Sequence, residues 1–265
     1  MDLNLKDKVV VVTGASKGIG LAVTRELTHQ GARVVAGSRT TTPELAELRD
    51  SSGVAVVHAD LAAAEGPERL VRAAVELHGG IDLLINNVGA SEPADGITGT
   101  GDDAWRRVFD VNLFSVVRTT RAAVPAMTGR TGAAIVNVSS VNARQPMPMI
   151  MHYSAAKAAL TNLGRSLAEE LAPDGIRVNT VSPGPVRTPL WTDEDGGFAN
   201  VLAAQAETSV DDVMDRVVPE SMGVSLGRVI EPHEVADLTL FLASPRAAGI
   251  TGADYRIDGG LVKTA

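Results

Sequence analysis

The sequence predicts an α/β fold: a doubly wound parallel sheet of the Rossmann-like kind, folded as a single domain. Three observations carry that expectation. First, Val9–Thr13 is an unbroken β-branched run, followed by G-A-S-K-G-I-G at 14–20 and then by Leu21, Val23 and Leu27 at helical spacing. Strand, glycine turn and helix in that order are the context a phosphate-binding loop requires. Second, strand-like and helix-like segments alternate over the rest of the chain with short connections, which implies parallel β-α-β units. Third, 265 residues at 45% hydrophobic content suit one large core, because α/β folds reach this size undivided.

Totals exclude several classes of function. The formal charge of -8 argues against nucleic acid or an anionic membrane as partner, both of which want a basic surface. No apolar run reaches the length of a membrane span, and the N-terminus lacks a signal-peptide core. Without cysteine there is no disulfide, thiol nucleophile or thiolate metal site, which fits a reducing, cytoplasmic setting. The five histidines are scattered with no H-x-x-x-H pair, so no metal is expected.

Taken in order, the first strand delivers the glycine loop. Gly14, Gly18 and Gly20 let the backbone approach a pyrophosphate, with Ser16, Lys17 and Ile19 between them and the positive end of the helix behind. The second strand, 33–37, ends in Ser38 and Arg39, with no acid before Glu44. A carboxylate at this point would bind ribose hydroxyls, whereas an arginine accommodates a 2′-phosphate, so NADP(H) is expected over NAD. Lys17 is a second cation placed for the same phosphate. A strand at 54–58, a helix at 67–77 and a strand at 81–85 follow. Ligands in such sheets collect beyond the carboxyl ends of the strands. There stand Asp60 and Leu61, with Asp60 either accepting from an adenine amino group or capping a helix, and then Asn86, Asn87, Val88 and Gly89, where Asn86 and Gly89 read as a cofactor-side turn.

In the second half, helical spacing covers 105–127 and a buried strand is expected at 133–138, ending in Ser139 and Ser140. Tyr153 and Lys157 then open a helix-like run that continues to Leu171. Four positions apart on a helix, they share one face. A phenol keeps its proton to pH ~10, and a neighbouring cation favours phenolate, so the pair reads either as an acid/base with its tuner or as a packed ring beside a solvated amine.

The segments TGASKGIG at 13–20, NNVG at 86–89 and YSAAK at 153–157 together resemble the short-chain dehydrogenase/reductase family, in its single-domain branch, over residues 8–260. Val88 replaces the family's usual alanine, apolar for apolar. The resemblance implies that Tyr153 protonates a carbonyl oxygen while NADPH delivers hydride to the carbon. It implies that Lys157 lowers the tyrosine pKa and holds the nicotinamide ribose, that Ser140 orients the oxygen, and that Asn112 holds a water completing a proton relay. It also implies that the turn after the strand at 176–181, with Pro183, Gly184, Val186 and Thr188, meets the nicotinamide.

Residues 189–227 are the least family-like and read as a substrate lid. The stretch opens with Leu190 and Trp191, crosses an acidic, flexible connection at 192–197, and carries Val210, Val213, Met214, Val217 and Val218 on one helical face behind Ser209 as N-cap. The Met-rich segment 146–151 supplies an adaptable opposite wall. Asn142, Met147 and Trp191 are the pocket candidates, while His152, one position before Tyr153, points elsewhere. Neither segment holds a basic cluster, so an uncharged or apolar ketone or alcohol is expected. A helix at Pro232–Ala243 and a strand at 255–257 close the chain, and the family implies burial of this end in a homotetramer, with a dimer second. The leading function is carbonyl reduction. The alternatives are a 3-oxoacyl-[acyl-carrier-protein] reductase, disfavoured by Glu169, Glu170 and Asp174 opposing Arg130 and Arg165, and a non-catalytic NADP sensor.

Overall fold

The computed structural model describes residues 2–193 and 197–264; the acidic connection expected at 192–197 lies partly, at 194–196, outside them. In chain order the main elements are β1 (Val9–Thr13), α1 (Gly18–His29), β2 (Arg33–Ser38), α2 (Pro43–Ser52), β3 (Ala55–His58), α3 (Glu65–His78) and β4 (Leu83–Asn86). Then come α4 (Asp102–Phe109), a π turn (Asp110–Phe114), α5 (Ser115–Met127), β5 (Ala134–Val138), α6 (Met151–Leu171), β6 (Arg177–Pro183), α7 (Phe198–Ala206), α8 (Pro232–Ala243) and β7 (Asp254–Ile257).

All seven strands pair in parallel, in the order β3-β2-β1-β4-β5-β6-β7. The chain leaves β1 in one direction to build β2 and β3, then returns past β1 to build the rest. That reversal between β1 and β4 opens the crevice where such sheets bind ligands. Both faces are covered. Val10 and Val12 pack with Leu27 of α1 and Val235 and Leu240 of α8, while Val11 packs on the other face with Leu70, Ala123 and Ala168 from α3, α5 and α6. Burial on two sides explains the unbroken valine run where a one-sided sheet would alternate.

Local chemistry sets the ends. Thr42 caps α2 by accepting from Leu45 N at 3.4 Å, Pro43 stands at its first turn, and Gly53 ends it at φ 70°. The helix expected over 105–127 is interrupted by the π turn at Asp110–Phe114, which pushes Asn112 fully inside. Such insertions within helices concentrate at functional sites.

The 189–227 stretch carries its own small core. Ser209 caps as expected, accepting from Asp212 N at 3.0 Å. Val213, Met214 and Val218 bury themselves with Ala199, Ala203 and Val229, and Trp191 packs against them, edge-on to Phe198 at 5.8 Å.

Candidate active site

The carboxyl ends of β1, β4 and β5 meet in one cavity of about 1040 Å³. Its floor is built by backbone. Gly14 and Gly18 adopt φ of 68° and 57°, open to glycine at little cost. The turn after β4 locks this loop: Thr13 Oγ1 accepts from Asn87 N and Val88 N at 2.8 and 3.0 Å, and Asn87 Nδ2 donates to Thr13 O and Gly14 O at 2.9 and 3.2 Å. Gly20 is required for a different reason. A Cβ there would stand 2.2 Å from Gly14 O, so its hydrogen lets α1 close onto the loop.

Ser16, Lys17, Gly18 and Ile19 line the wall beside Gly14, and Ser38, Arg39, Thr40 and Thr42 continue it. Lys17 Nζ lies 3.2 Å from Asp193 Oδ2 across the mouth, with Lys17 60% and Asp193 46% exposed. An ion pair that wet contributes little, which leaves the ammonium available to another partner. Asp60 and Leu61 line the next stretch, and Asp60 Oδ1 accepts from Ala62 N at 3.0 Å. The aspartate thereby turns the chain toward α3, although the N-cap itself is Ala64.

At the other end stand Tyr153 and Lys157, both on the cavity wall. Lys157 Nζ donates to Val138 O at 3.0 Å and sits 5.6 Å from the centre of the Tyr153 ring. Burial lowers the lysine to about 8 and pushes the tyrosine above its ordinary value, while a hydrogen bond from Ser140 pulls it back in part. The sequence expectation that Lys157 brings Tyr153 down is therefore corrected. Desolvation dominates, although the ammonium rests over the ring.

Asn112 is fully buried behind Gly89. Its Nδ2 donates to Ala90 O and Val108 O at 2.7 and 2.8 Å. A Cβ on Gly89 would lie 3.0 Å from Asn112 Oδ1 and 3.3 Å from Lys157 Nζ, so the absent side chain leaves asparagine and lysine facing each other. A fixed donor/acceptor pair, a buried phenol and a buried amine can hold and move a proton. With the glycine floor, the whole arrangement suits a dinucleotide.

A family model described as enoyl-(acyl carrier protein) reductase matches residues 14–262. The chain belongs to the short-chain dehydrogenase/reductase family. Among its curated relatives, pig dehydrogenase/reductase SDR family member 4 is 36% identical over 262 residues, covering 97% of this chain and 88% of that one. Among solved structures, L-sorbose reductase from Gluconobacter frateurii, complexed with NADPH and L-sorbose, superposes with a TM-score of 0.92 at 33% identity over all of both chains. An NADPH-bound short chain oxidoreductase from Pseudomonas aeruginosa with an atypical catalytic center gives 0.86 at 33% identity, over 98% of this chain and 100% of that one. This chain is therefore a member of an oxidoreductase family along nearly its whole length.

Several expected residues sit elsewhere than the cavity wall. Asn86 is a core tie, donating to Thr120 Oγ1 and Asn137 Oδ1 at 3.1 and 3.0 Å; of the two asparagines, Asn87 lines the site. Pro183, Gly184 and Val186 stand behind the wall. Gly184 is pressed against Asp258 and Val186 is in the core, so the wall on this side starts at Thr188 and runs on through Pro189 and Leu190. Trp191 packs against the small core of the 189–227 stretch. Asn142 serves Ser140, accepting from its Oγ at 3.0 Å and donating its own N–H back at 3.1 Å. Met147 N donates to Ser154 Oγ at 3.4 Å, joining that segment to α6 outside the cavity wall.

Other wall residues went unread in the sequence. Ser139 lines the cavity and fastens α6 to β5, its Oγ donating to Lys157 O at 3.1 Å. Ser91 presents a buried hydroxyl with no hydrogen-bond partner among the described residues, and Glu92 and Arg107 pair at 2.9 Å nearby on the same wall. No motif marks these, because their place depends on how the loop after β4 packs on α4. His152 is fully buried, accepts from Tyr153 N through Nδ1 at 3.0 Å, and lies edge-on to Trp105 at 5.9 Å. It points away from the cavity, as expected, yet supports the first turn of α6.

Proposed function

We propose that the protein is an NADP(H)-dependent reductase of ketones and, in reverse, a dehydrogenase of the matching secondary alcohols. The observation that carries this reading is one continuous cavity with Ser38 and the exposed Arg39 at one end and Tyr153 with Lys157 at the other. The NADPH named with the two solved relatives supports the choice of cofactor.

The glycine loop and Ser16 would hold the pyrophosphate, Arg39 and Ser38 the 2′-phosphate, and Asp60 and Leu61 the adenine. Bound there, the reduced nicotinamide supplies hydride to the carbonyl carbon. Tyr153 gives its phenolic proton to the carbonyl oxygen; the burial that raises its pKa keeps that proton in place at neutral pH. Ser140, fixed by Asn142, shares the oxygen and stabilises its developing charge. Lys157 is cationic below about pH 8 and steadies the tyrosinate left behind, and Asn112, facing it across Gly89, supports return of a proton. Leu190 and the paired charges Glu92 and Arg107 favour an uncharged substrate under a lid formed by 189–227. The working form is a cytoplasmic homotetramer, and a monomer mass by light scattering would reject the assembly.

The deciding experiment follows loss of reduced-nicotinamide absorbance with NADPH across a panel of free ketones. Ketone-dependent depletion is expected. Tight NADPH binding with no depletion by any ketone would contradict the proposal and favour a sensor. The family description naming acyl carrier protein keeps a second reading open, and turnover confined to carrier-linked 3-oxoacyl groups would decide for it.

A further inference from the structure

The end of β3 holds a side chain that the proposed chemistry does not use. His58 is the lateral partner of Ser38 in the sheet, and Ala59 N donates to Ser38 O at 2.9 Å. From there the imidazole reaches over the loop that follows β2. Its Nδ1 lies 3.3 Å from Arg39 O and its Nε2 3.1 Å from Thr41 Oγ1. A carbonyl oxygen can only accept, so Nδ1 carries the proton; in the neutral ring Nε2 then accepts from the threonine hydroxyl. One imidazole thus holds the Arg39 backbone on one side of Thr40 and the Thr41 side chain on the other.

Further ties complete the loop. Ser38 Oγ donates to Thr40 O at 2.8 Å, and Thr42 Oγ1 donates to Ser16 O at 2.8 Å, joining the loop to the glycine turn. Arg69 of α3 anchors the histidine's own backbone, with Nη1 donating to His58 O at 3.1 Å. Ser16, Ser38, Arg39, Thr40 and Thr42 all line the cavity, while His58 and Thr41 stand outside it. The Arg39 backbone is therefore held from behind, and only its side chain remains to be ordered by a ligand. Fixing a loop before binding removes part of the ordering cost.

We infer that the His58–Thr41 clasp is a positioning element for cofactor choice: it presents Arg39 and Ser38 to the 2′-phosphate of NADPH without touching the cofactor. The inference rests on the NADP(H) reading above. Its consequence is selective, because NADH has no 2′-phosphate and gains nothing from the clasp.

The experiment measures KM for NADPH and NADH with one ketone in His58→Ala, His58→Asn, Thr41→Val and Arg39→Asp. Loss of the clasp in His58→Ala is expected to raise KM for NADPH about three- to tenfold, the range set by one or two hydrogen bonds, with KM for NADH and kcat within about twofold of the parent. Thr41→Val should move the same way by less. His58→Asn, which keeps a donor for Arg39 O, should recover part of the loss. Equal changes for both cofactors, or none in either clasp variant, would overturn the inference. Arg39→Asp separates the two levels. If it discriminates and the clasp variants do not, the clasp alone is wrong; if it does not discriminate, the NADP(H) reading has failed.

Discussion

The two ends of the cavity are built in different ways. At the nucleotide end the ligand surface is mostly backbone, drawn from contiguous stretches at 14–20 and 38–42 and cross-tied by Thr13, Asn87 and Thr42. At the chemical end it is side chains from distant segments, Tyr153 and Lys157 from α6 and Leu190 from the 189–227 stretch, with the buried Asn112 of the π turn and Ser140 after β5 standing off the wall. A backbone surface tolerates change outside its glycines, whereas a side-chain surface can lose its function one atom at a time. The variants that follow set one construction against the other.

The largest effect is expected at the chemical end. Removing the Lys157 amine should lower turnover roughly 10²–10⁴-fold, the usual share of acid/base machinery. Lys157→Met should nevertheless raise Tm at pH 7. The folded lysine titrates near 8 against ~10.4 when unfolded. Between those values the unfolded chain binds more protons, so wild-type stability climbs with pH there and the buried charge is a cost below about 8. The Tm gain should therefore shrink as pH rises through about 8 toward 10, and differential scanning calorimetry at several pH values measures it. A Tm gap that widened with pH would show that this amine is not a buried charge.

At the nucleotide end the vulnerable point is a hydrogen. Gly20→Ala places a methyl group 2.2 Å from Gly14 O, and the forced shift should cost ~1–3 kcal/mol. Chemical denaturation and NADPH titration should both register the loss. A variant of normal stability and affinity would mean that α1 can retreat from the loop.

Smaller still is the pH response of the intact enzyme. Burial raises the Tyr153 pKa, so the phenol holds its proton throughout the neutral range. Ketone reduction should be level there, while alcohol oxidation, which needs tyrosinate, should keep rising to pH ~10 and beyond. An oxidation profile already flat at neutral pH would place the tyrosine lower than burial does. The smallest effect belongs to the mouth. Asp193→Asn removes the exposed pair with Lys17 and should change KM for NADPH by less than about fivefold, since such pairs contribute ~0–1 kcal/mol.

The same contrast explains what could be read from the sequence. The parallel sheet, the glycine loop and the end of β2 are local: consecutive residues, a buried valine run and glycines with positive φ. Tyr153 and Lys157 are legible because helical spacing puts them on one face and the accompanying motifs carry the family resemblance. What escaped depends on distant packing. The sequence around 182–188 resembles a nicotinamide-facing turn, but Gly184 is pressed against Asp258 and the wall starts only at Thr188. Trp191 reads in sequence as a pocket aromatic at the start of 189–227, and in space it packs against that stretch's own core. Asn142 stands two positions from Ser140, so it was placed near the site, but only the folded turn shows that it holds the serine. The lowering of the Tyr153 pKa is expected from its spacing to Lys157 and from the family resemblance, and burial acts in the opposite direction.

The central claim is that one cavity joins a nucleotide end that binds to a tyrosine that transfers the proton. Tyr153→Phe tests it most directly, with NADPH affinity by fluorescence titration and ketone turnover measured on the same preparation. The expected result is near-parental NADPH affinity with turnover reduced roughly 10²–10⁴-fold. Substantial turnover in that variant would contradict the role of Tyr153 as the acid.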